Sequence, residues 1–273
     1  MIINAPQWVL WPVWFALGSC IGSFLNVCIV RMPREQSIVS PGSHCPQCTR
    51  PIAWYDNIPL VSFVWLRGAC RHCRRPIAWR YPLVEALTGV AAVAVFLRFG
   101  LSAVGVMYLA FVCALIVSSF IDLEFQIIPD EISLGGLAVG LVVSVLVPQL
   151  HGTDLRLLAF GRAVLGMFVG GGLLYLTGML GDFVFRKESM GGGDIKLLAM
   201  AGSILGWKLV ALTFFTAPIL ALIPGVMVLL FKRSHVIPYG PFLSLGLILA
   251  LFLGNALLRT TGIEDAVRSV IQW

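Results

Sequence analysis

The amino-acid sequence predicts an all-α polytopic membrane protein with about eight transmembrane helices and a cytoplasmic insert that carries four cysteines. Composition is the first observation behind this fold class. Of the 273 residues, 59% are hydrophobic and only 12% are charged, whereas soluble globular proteins carry about 25% charged residues. The second observation is that the apolar residues form runs of about 20 residues, the length that crosses a bilayer. A chain this apolar requires lipid as its solvent.

The predicted transmembrane helices follow the apolar runs in order. The first run is Trp8–Val30, whose tryptophans suit the aromatic belt of a membrane interface. A polar segment, 31–82, separates it from the others. The later runs cover residues 83–98, 102–121, 131–149, 157–181, 195–206, 208–230 and 239–258. Because the run 195–206 is short for a span, we expect it to be tilted or partly re-entrant.

The basic residues predict the orientation in the membrane. Segment Arg31–Arg80 holds eight arginines and only two acids, which indicates a cytoplasmic location by the positive-inside rule. With eight crossings, 13 of the 19 Lys and Arg residues face the cytoplasm, and both termini are periplasmic. The lipid bilayer is therefore a predicted partner. Nucleic acid is not, because the basic residues lie in loops between apolar runs.

The predicted domain organisation has four parts. These are a first transmembrane helix (1–30), a cytoplasmic insert (31–82), a membrane domain (83–258) and a C-terminal periplasmic tail (259–273). No tandem repeat is evident. The glycine-rich stretches Gly135–Gly140 and Gly166–Gly172 predict close packing between helices.

Two Cys-x-x-Cys pairs lie in the insert. They are Cys45-Pro-Gln-Cys48 and Cys70-Arg-His-Cys73, with 21 residues between them. Two such pairs at this spacing predict a zinc-ribbon-like site, in which four thiolates close a tetrahedral shell around a structural zinc ion. The alternatives are two disulfides or four inert thiols. A cytoplasmic location argues against disulfides.

Other residues near these cysteines, and the other cysteines, have simpler interpretations. We expect His44 and His72 to face solvent or to support the metal ligands without binding the metal. We expect Cys20, Cys28 and Cys113 to be small buried residues of the apolar helices.

Two aspartates at the ends of apolar runs form a candidate catalytic pair. Asp122 ends the third run and Asp194 begins the sixth, so the predicted topology brings both to the cytoplasmic side. Repulsion between two close carboxylates separates their pKa values, so one can be protonated while the other is ionised. Such a pair can both activate water and polarise a peptide carbonyl. Gly191, Gly192 and Gly193 would let a substrate strand approach this pair closely.

The sequence leaves other interpretations of these acids open. Asp194 could be the N-cap of a helix, and Asp130 after Pro129 resembles the N-cap of the fourth span even more. Asp122 could be an interfacial acid without a chemical role. Spacing alone does not choose between Asp122 and Asp130. We expect Glu124 to be solvated, and Asp182 and Glu188 to lie in the polar loop before the glycines.

The ordered set of motifs resembles that of the type IV prepilin peptidases. Gly191-Gly-Gly-Asp194 fits the GxGD signature of that family, and Asp122 within Asp-Leu-Glu…Ile-Pro-Asp130 fits its first aspartate motif. Further matches are the two Cys-x-x-Cys pairs, Gly22-Ser-Phe-Leu-Asn26, Asn57-Ile-Pro-Leu60, Leu66-Arg-Gly-Ala-Cys70, Arg80-Tyr-Pro-Leu-Val-Glu85 and Ile237-Pro-Tyr-Gly-Pro241. The matches run in family order over nearly the whole chain. Two positions depart from the usual pattern, Gly192 and Ala69.

The resemblance implies an intramembrane aspartyl protease of the bacterial inner membrane. Its substrates would be type IV prepilins or type II secretion pseudopilins, cut after a glycine on the cytoplasmic side. It implies Asp122 and Asp194 as the catalytic residues and 83–258 as the peptidase domain. In two-domain members it also implies N-methylation of the new N-terminal residue with S-adenosylmethionine as donor, associated here with the insert 31–82. It names no donor-binding residues and no oligomeric state.

Two other classes of function remain open at this point. Paired acids in a membrane also occur in ion-coupled transporters, although both aspartates lie at one membrane face and no pair of broken helices lies at the midplane. A zinc-stabilised scaffold that only binds pilus-assembly partners is the other alternative. Cleavage of a prepilin distinguishes the peptidase from both.

Overall fold

The computed structural model describes residues 7–187, 190–232 and 238–260, and within these ranges the regular elements are helices. The chain divides into two compact units, 1–121 and 122–273. Of the predicted tail 259–273, residues 261–273 lie outside the described residues. The predicted all-α class is confirmed for the part of the chain that the structure describes.

The first unit is built on a pair of long helices, α1 (Gln7–Arg31) and α3 (Arg80–Phe99). The insert between them contains one short α-helix, α2 (Val61–Trp65), two 3-10 helices and two isolated β-bridges. Small residues bring α1 and α3 together, because a Cβ added at Gly22 would lie 2.8 Å from the Cα of Glu85. Helix α4 (Ala103–Phe125) begins in this unit and ends in the second.

The second unit contains five further helices. They are α5 (Asp130–Leu146), α6 (Arg156–Phe185), α7 (Gly192–Leu205), α8 (Trp207–Lys232) and α9 (Gly240–Thr260). Helix α7 is the most enclosed of them, with its residues from Leu197 to Leu205 largely buried. It ends at Leu205, and the next residue, Gly206, has a φ of 79°, a conformation that glycine adopts without strain.

Glycines let α7 pack directly against its neighbours, as the glycine-rich stretches predicted. A Cβ added at Gly166 of α6 would collide with the carbonyl oxygen of Gly202 in α7, and one at Gly140 of α5 would collide with the Ser203 hydroxyl. Gly135 and Gly172, in contrast, have no neighbour within 4 Å of an added Cβ. The prediction is therefore confirmed for the members of each stretch that face α7.

Each of the predicted apolar runs coincides with one helix of the structure, namely α1 and α3 to α9. By length and composition, four of the described helices could cross a membrane, α1, α3, α4 and α6, and α8 and α9 contain shorter apolar segments. These helices fit a multi-pass membrane protein. A count of eight crossings stays a prediction, since α5 has 17 residues and α7 has 14.

Candidate functional site

Asp122 lies in the last turn of α4 and is only 7% exposed. Its Oδ2 accepts a hydrogen bond of 2.9 Å from the backbone N–H of Gly240. Gly240 is the first residue of α9, and the first N–H groups of a helix have no partner within the helix. The carboxylate therefore occupies a position where the partial positive charge of a helix N-terminus favours an anion.

Asp194 is the third residue of α7 and does not cap that helix. The N-cap residue is Gly191, whose position involves no side-chain hydrogen bond, so the N-cap interpretation of Asp194 is wrong. The Oδ1 of Asp194 is buried and has no hydrogen-bond partner among the described residues. Because buried polar atoms are normally paired, this oxygen is available for a group from outside the chain.

The two aspartates lie close enough for the charge of Asp122 to act on the Asp194 carboxyl. The carboxyl of Asp194 interacts in the same way with Tyr239, the residue before the Gly240 donor. In the second unit, the C-terminal end of α4 therefore lies close to the N-terminal ends of α7 and α9. Tyr239 and Gly240 belong to the sequence motif 237–241, but the sequence predicted no role for them. A backbone N–H donor cannot be recognised from a sequence, because every residue except proline has one.

The three glycines before Asp194 have different surroundings. A Cβ added at Gly193 would lie 3.0 Å from the Cβ of Ile128, so packing restricts that position. A Cβ added at Gly192 would meet nothing within 4 Å, and Gly191 is exposed with only Asp194 nearby. Gly191 and Gly192 therefore leave open space beside the Asp194 carboxyl.

Asp130 has a structural partner outside this cluster. It is the first residue of α5, and the N-cap residue is Pro129, so the prediction of an Asp130 N-cap is wrong. Its carboxylate instead forms an exposed ion pair of 2.6 Å with Lys196 of α7. This pair connects α5 to the helix that carries Asp194.

The other three acids have mixed outcomes. Glu124 is exposed, as expected. Asp182 is exposed but lies in the last turn of α6 and not in a loop, and its backbone carbonyl accepts the N–H of Arg186. Glu188 lies outside the described residues.

The four cysteines of the insert converge on one point. The sulfurs of Cys45, Cys48, Cys70 and Cys73 all lie within 4.8 Å of one another. Cys45 Sγ and Cys73 Sγ are 3.9 Å apart, and all four cysteines are free. A disulfide would need about 2.05 Å, whereas sulfurs about 2.3 Å from a tetrahedral zinc ion are separated by about 3.8 Å. The donor set fits zinc, and the disulfide interpretation does not fit the structure.

The two Cys-x-x-Cys segments, here called knuckles, have closely similar sequences. Residues 44–54 read HCPQCTRPIAW and residues 69–79 read ACRHCRRPIAW. In each copy the N–H of the first cysteine donates to the carbonyl of the arginine five positions later, at 3.0 Å and 2.9 Å. The expectation that no tandem repeat exists is therefore wrong. A comparison of the insert with itself at an offset of 25 residues would have found it.

The thiols of the cluster differ in how readily they ionise. N–H groups of Cys73 and His72 that donate to Cys70 lower the pKa of its thiol to about 6. Loss of water contact and hydrogen bonds to the other three thiols raise the pKa of Cys73 to about 11, so a thiolate is favoured at Cys70 and disfavoured at Cys73. His44 and His72 are exposed and do not belong to the sulfur cluster, as expected.

The remaining cysteines differ from one another. Cys28 and Cys113 are buried, as expected, but Cys20 is exposed and its predicted burial is wrong. Gly18 and Gly22 face α3, and a helical residue two positions from either points away from that face.

Comparison with known proteins is consistent with this arrangement. The family described as the bacterial peptidase A24 N-terminal domain matches residues 16–99, and the type IV leader peptidase family matches residues 109–226. No solved structure matches the chain.

Named relatives agree with the family matches. A prepilin leader peptidase/N-methyltransferase of Myxococcus xanthus is 40% identical over 79% of this chain, and the match spans 62% of that protein. Proteins of the same name from Aeromonas hydrophila and Pseudomonas aeruginosa are 33% and 32% identical, over 94% and 89% of this chain and 96% and 90% of their own lengths. Because the Aeromonas and Pseudomonas matches cover most of both chains at more than 30% identity, the chain belongs to the type IV leader peptidase family.

Proposed function

We propose that this protein is a membrane-embedded aspartyl endopeptidase that removes the leader peptide of type IV prepilins or type II secretion pseudopilins, and that it then N-methylates the new N-terminal residue. One observation carries the peptidase part. The buried Asp122 is held by the N-terminus of α9, while the nearby Asp194 has a buried oxygen with no partner among the described residues. The names of the relatives support both parts.

The surroundings of the two carboxyls support a different proposed task for each. An N–H donor and a helix N-terminus stabilise a negative charge, so Asp122 is the ionised member that takes a proton from water. Asp194 is the protonated member and donates its hydrogen to the peptide carbonyl oxygen. The water oxygen bonds to the carbonyl carbon and gives a tetrahedral diol. As the C–N bond breaks, the departing amine takes the proton held by Asp122, and one hydroxyl of the diol returns a proton to Asp194, which restores both carboxyls.

The open space at Gly191 and Gly192 is the proposed path of the substrate strand. Without side chains, the backbone there can lie against the substrate backbone next to Asp194. Gly193 contributes differently, since its missing Cβ lets α7 approach Ile128.

The proposed location is the bacterial inner membrane, crossed eight times. The arginine-rich insert lies in the cytoplasm, and both termini lie in the periplasm, because that orientation leaves most basic residues inside. Residues 83–258 would form the peptidase domain and 31–82 the insert associated with methyl transfer. This arrangement brings the aspartates to the cytoplasmic membrane face.

The insert is proposed to hold one structural zinc ion through Cys45, Cys48, Cys70 and Cys73. Four thiolates leave no open coordination position, so the ion stabilises the fold and does not activate water. S-adenosylmethionine is the proposed methyl donor. It supplies a methyl group from its sulfonium, the N-terminal nitrogen gains that methyl and loses a proton, and the donor leaves as a thioether.

Intact-mass analysis of a prepilin tests this function. The purified protein in detergent is incubated with a leader-bearing prepilin and S-adenosylmethionine, and the product should lack its leader and carry one methyl increment. An ion-coupled transporter or a scaffold would return the substrate unchanged. An unshortened prepilin under conditions in which the protein remains folded would contradict the proposal.

A further inference from the structure

The first unit contains a cavity of about 450 Å³ between the insert and the facing ends of α1 and α3. Pockets for small molecules have volumes of about 300–1,000 Å³. Its lining combines apolar and aromatic groups, such as Val27 and Tyr81, with polar side chains that include Asn26, Arg80 and Glu85. The lining also includes Cys45 and Cys70, so the cavity adjoins the sulfur cluster, but it does not include the aspartate pair.

Asn26 provides the strongest sign of a ligand in this cavity. The side chain is only 2% exposed, and its Nδ2 donates to the carbonyl oxygens of Tyr81 at 3.1 Å and Gly22 at 3.3 Å. These two acceptors fix the orientation of the amide, because its nitrogen must face them. The Oδ1 is buried without a hydrogen-bond partner among the described residues. A buried acceptor of this kind requires a donor, and the cavity is where one can enter.

Glu85 adds a negative charge to the same cavity. It is 9% exposed, and its Oε2 accepts the backbone N–H of Leu60 at 2.8 Å. Leu60 has a φ of 61°, a conformation that a leucine rarely adopts. The insert thus adopts a strained turn at the point where it contacts this carboxylate, and strain of this kind concentrates at ligand sites.

We propose that this cavity is the methyl-donor site of the protein and takes S-adenosylmethionine, with Asn26 Oδ1 and the Glu85 carboxylate accepting hydrogen bonds from the cationic amino group of the donor. The inference rests on the proposed N-methyltransferase function and names its site. Five arginines line the cavity, and we assign the carboxylate of the donor to Arg80 at the start of α3. The guanidinium of Arg80 lies 5.4 Å from the centre of the Tyr81 ring, so the two side chains together offer a cation and an aromatic surface for the adenine ring. A small zwitterion matches a lining that presents both charges. The N-terminus of a peptide substrate, in contrast, carries only a positive charge and offers no anion to the arginines of the lining.

Direct binding measurements test this site without relying on catalysis. Radiolabelled S-adenosylmethionine is equilibrated with the full chain in detergent, and its dissociation constant is compared between the wild type and two variants, Glu85→Gln and Asn26→Leu. Glu85→Gln keeps the shape of the side chain and an acceptor for Leu60. We expect each variant to raise the dissociation constant by about tenfold or more, since a hydrogen bond to a charged group is lost.

The matched control is Glu131→Gln, the same change at an exposed residue of α5, and it should bind the donor as the wild type does. All three variants should retain zinc and leader cleavage, which shows that they are folded. Photocrosslinking of the labelled donor to the wild type gives a second readout, and the labelled peptides should come from residues 23–85.

The outcomes separate this inference from the proposed function. Normal donor binding in both cavity variants, or a crosslink outside residues 23–85, would overturn the assignment. Intact leader cleavage without any donor binding would also overturn it and leave the peptidase standing. Donor binding in the cavity without leader cleavage would contradict the proposed peptidase and support the cavity as the donor site.

Discussion

Gly240 donates its backbone N–H to the Oδ2 of Asp122 at 2.9 Å, although 118 residues separate them in the chain. Through this bond, the start of α9 orients one carboxyl of the candidate pair. The bond also helps to choose between Asp122 and Asp130 as the first catalytic residue, which sequence spacing left open. Asp122 is buried and close enough for its charge to act on Asp194, whereas Asp130 is exposed and paired with Lys196. The surroundings therefore favour Asp122 as the first catalytic residue.

Replacing either aspartate of the pair should abolish leader cleavage. Asp122→Asn and Asp194→Asn each keep the shape of the side chain, but an amide neither takes a proton from water as Asp122 would nor donates one as the acid Asp194 would. We expect the cleavage rate to fall by at least about 100-fold, the lower end of what general acid–base catalysis contributes. Because the pair acts as a unit, the double variant should be scarcely worse than either single one. Product mass against time measures this.

Asp130→Asn is the matched control, because it removes an exposed ion pair, which contributes at most about 1 kcal/mol to stability. It should cleave at close to the normal rate. Normal cleavage by Asp122→Asn would refute the assignment, and loss of cleavage in Asp130→Asn alone would transfer the role to that residue.

Gly240→Ala should impair cleavage without unfolding the protein. The added Cβ would lie 2.7 Å from the Oδ2 of Asp122, so the carboxyl or the start of α9 must move. We expect a fall in rate of about 100-fold, the size associated with a 1 Å misplacement. Gly135→Ala is the control, since nothing lies within 4 Å of its Cβ. Equal rates for both variants would contradict a role for the Gly240 hydrogen bond.

Gly202→Ala should destabilise the second unit. Its Cβ would collide with the carbonyl oxygen of Gly166, and overpacking of this kind costs about 1–3 kcal/mol. Thermal unfolding in detergent should show a lower midpoint for this variant. Gly161→Ala in α6 has open space at its Cβ and should be neutral or slightly stabilising, because alanine favours a helix over glycine. An unchanged midpoint for Gly202→Ala would show that α6 and α7 are less closely packed than described.

The purified protein should contain about one zinc ion per chain. The Cys45→Ser/Cys70→Ser double variant removes one thiolate from each knuckle and should lose the metal, because the shell is then incomplete. Elemental analysis of the purified protein measures this directly. Cys20→Ser, at an exposed cysteine outside the knuckles, should retain zinc. Undiminished zinc in the double variant would refute the site.

Reporter fusions should place the insert in the cytoplasm. A reporter within 50–67 should behave as cytoplasmic and one at Gly152 as periplasmic, because the arginine-rich segment resists translocation. An external insert would contradict the placement of both aspartates at the cytoplasmic face. The reporter activities in whole cells give the answer without purification.

Several features of the structure could be predicted from the sequence alone. The apolar runs matched the helices α1 and α3 to α9, because an uninterrupted apolar run needs no partner to indicate a spanning helix. The four cysteines were recognisable as one cluster, because thiol ligands at this spacing have few other uses. The duplicated knuckle was also visible in the sequence and was overlooked.

By itself, the sequence determined the helical class, the membrane as solvent, the family and the residues that could carry chemistry. Only the tertiary structure decided how those residues are used. It paired Asp130 with Lys196, supplied Asp122 with a donor from Gly240, and left Asp194 Oδ1 and Asn26 Oδ1 without partners among the described residues. The physical reason is that apolar patterning depends on neighbours along the chain. A hydrogen bond between a carboxyl and a distant helix start depends on packing, which no local pattern encodes.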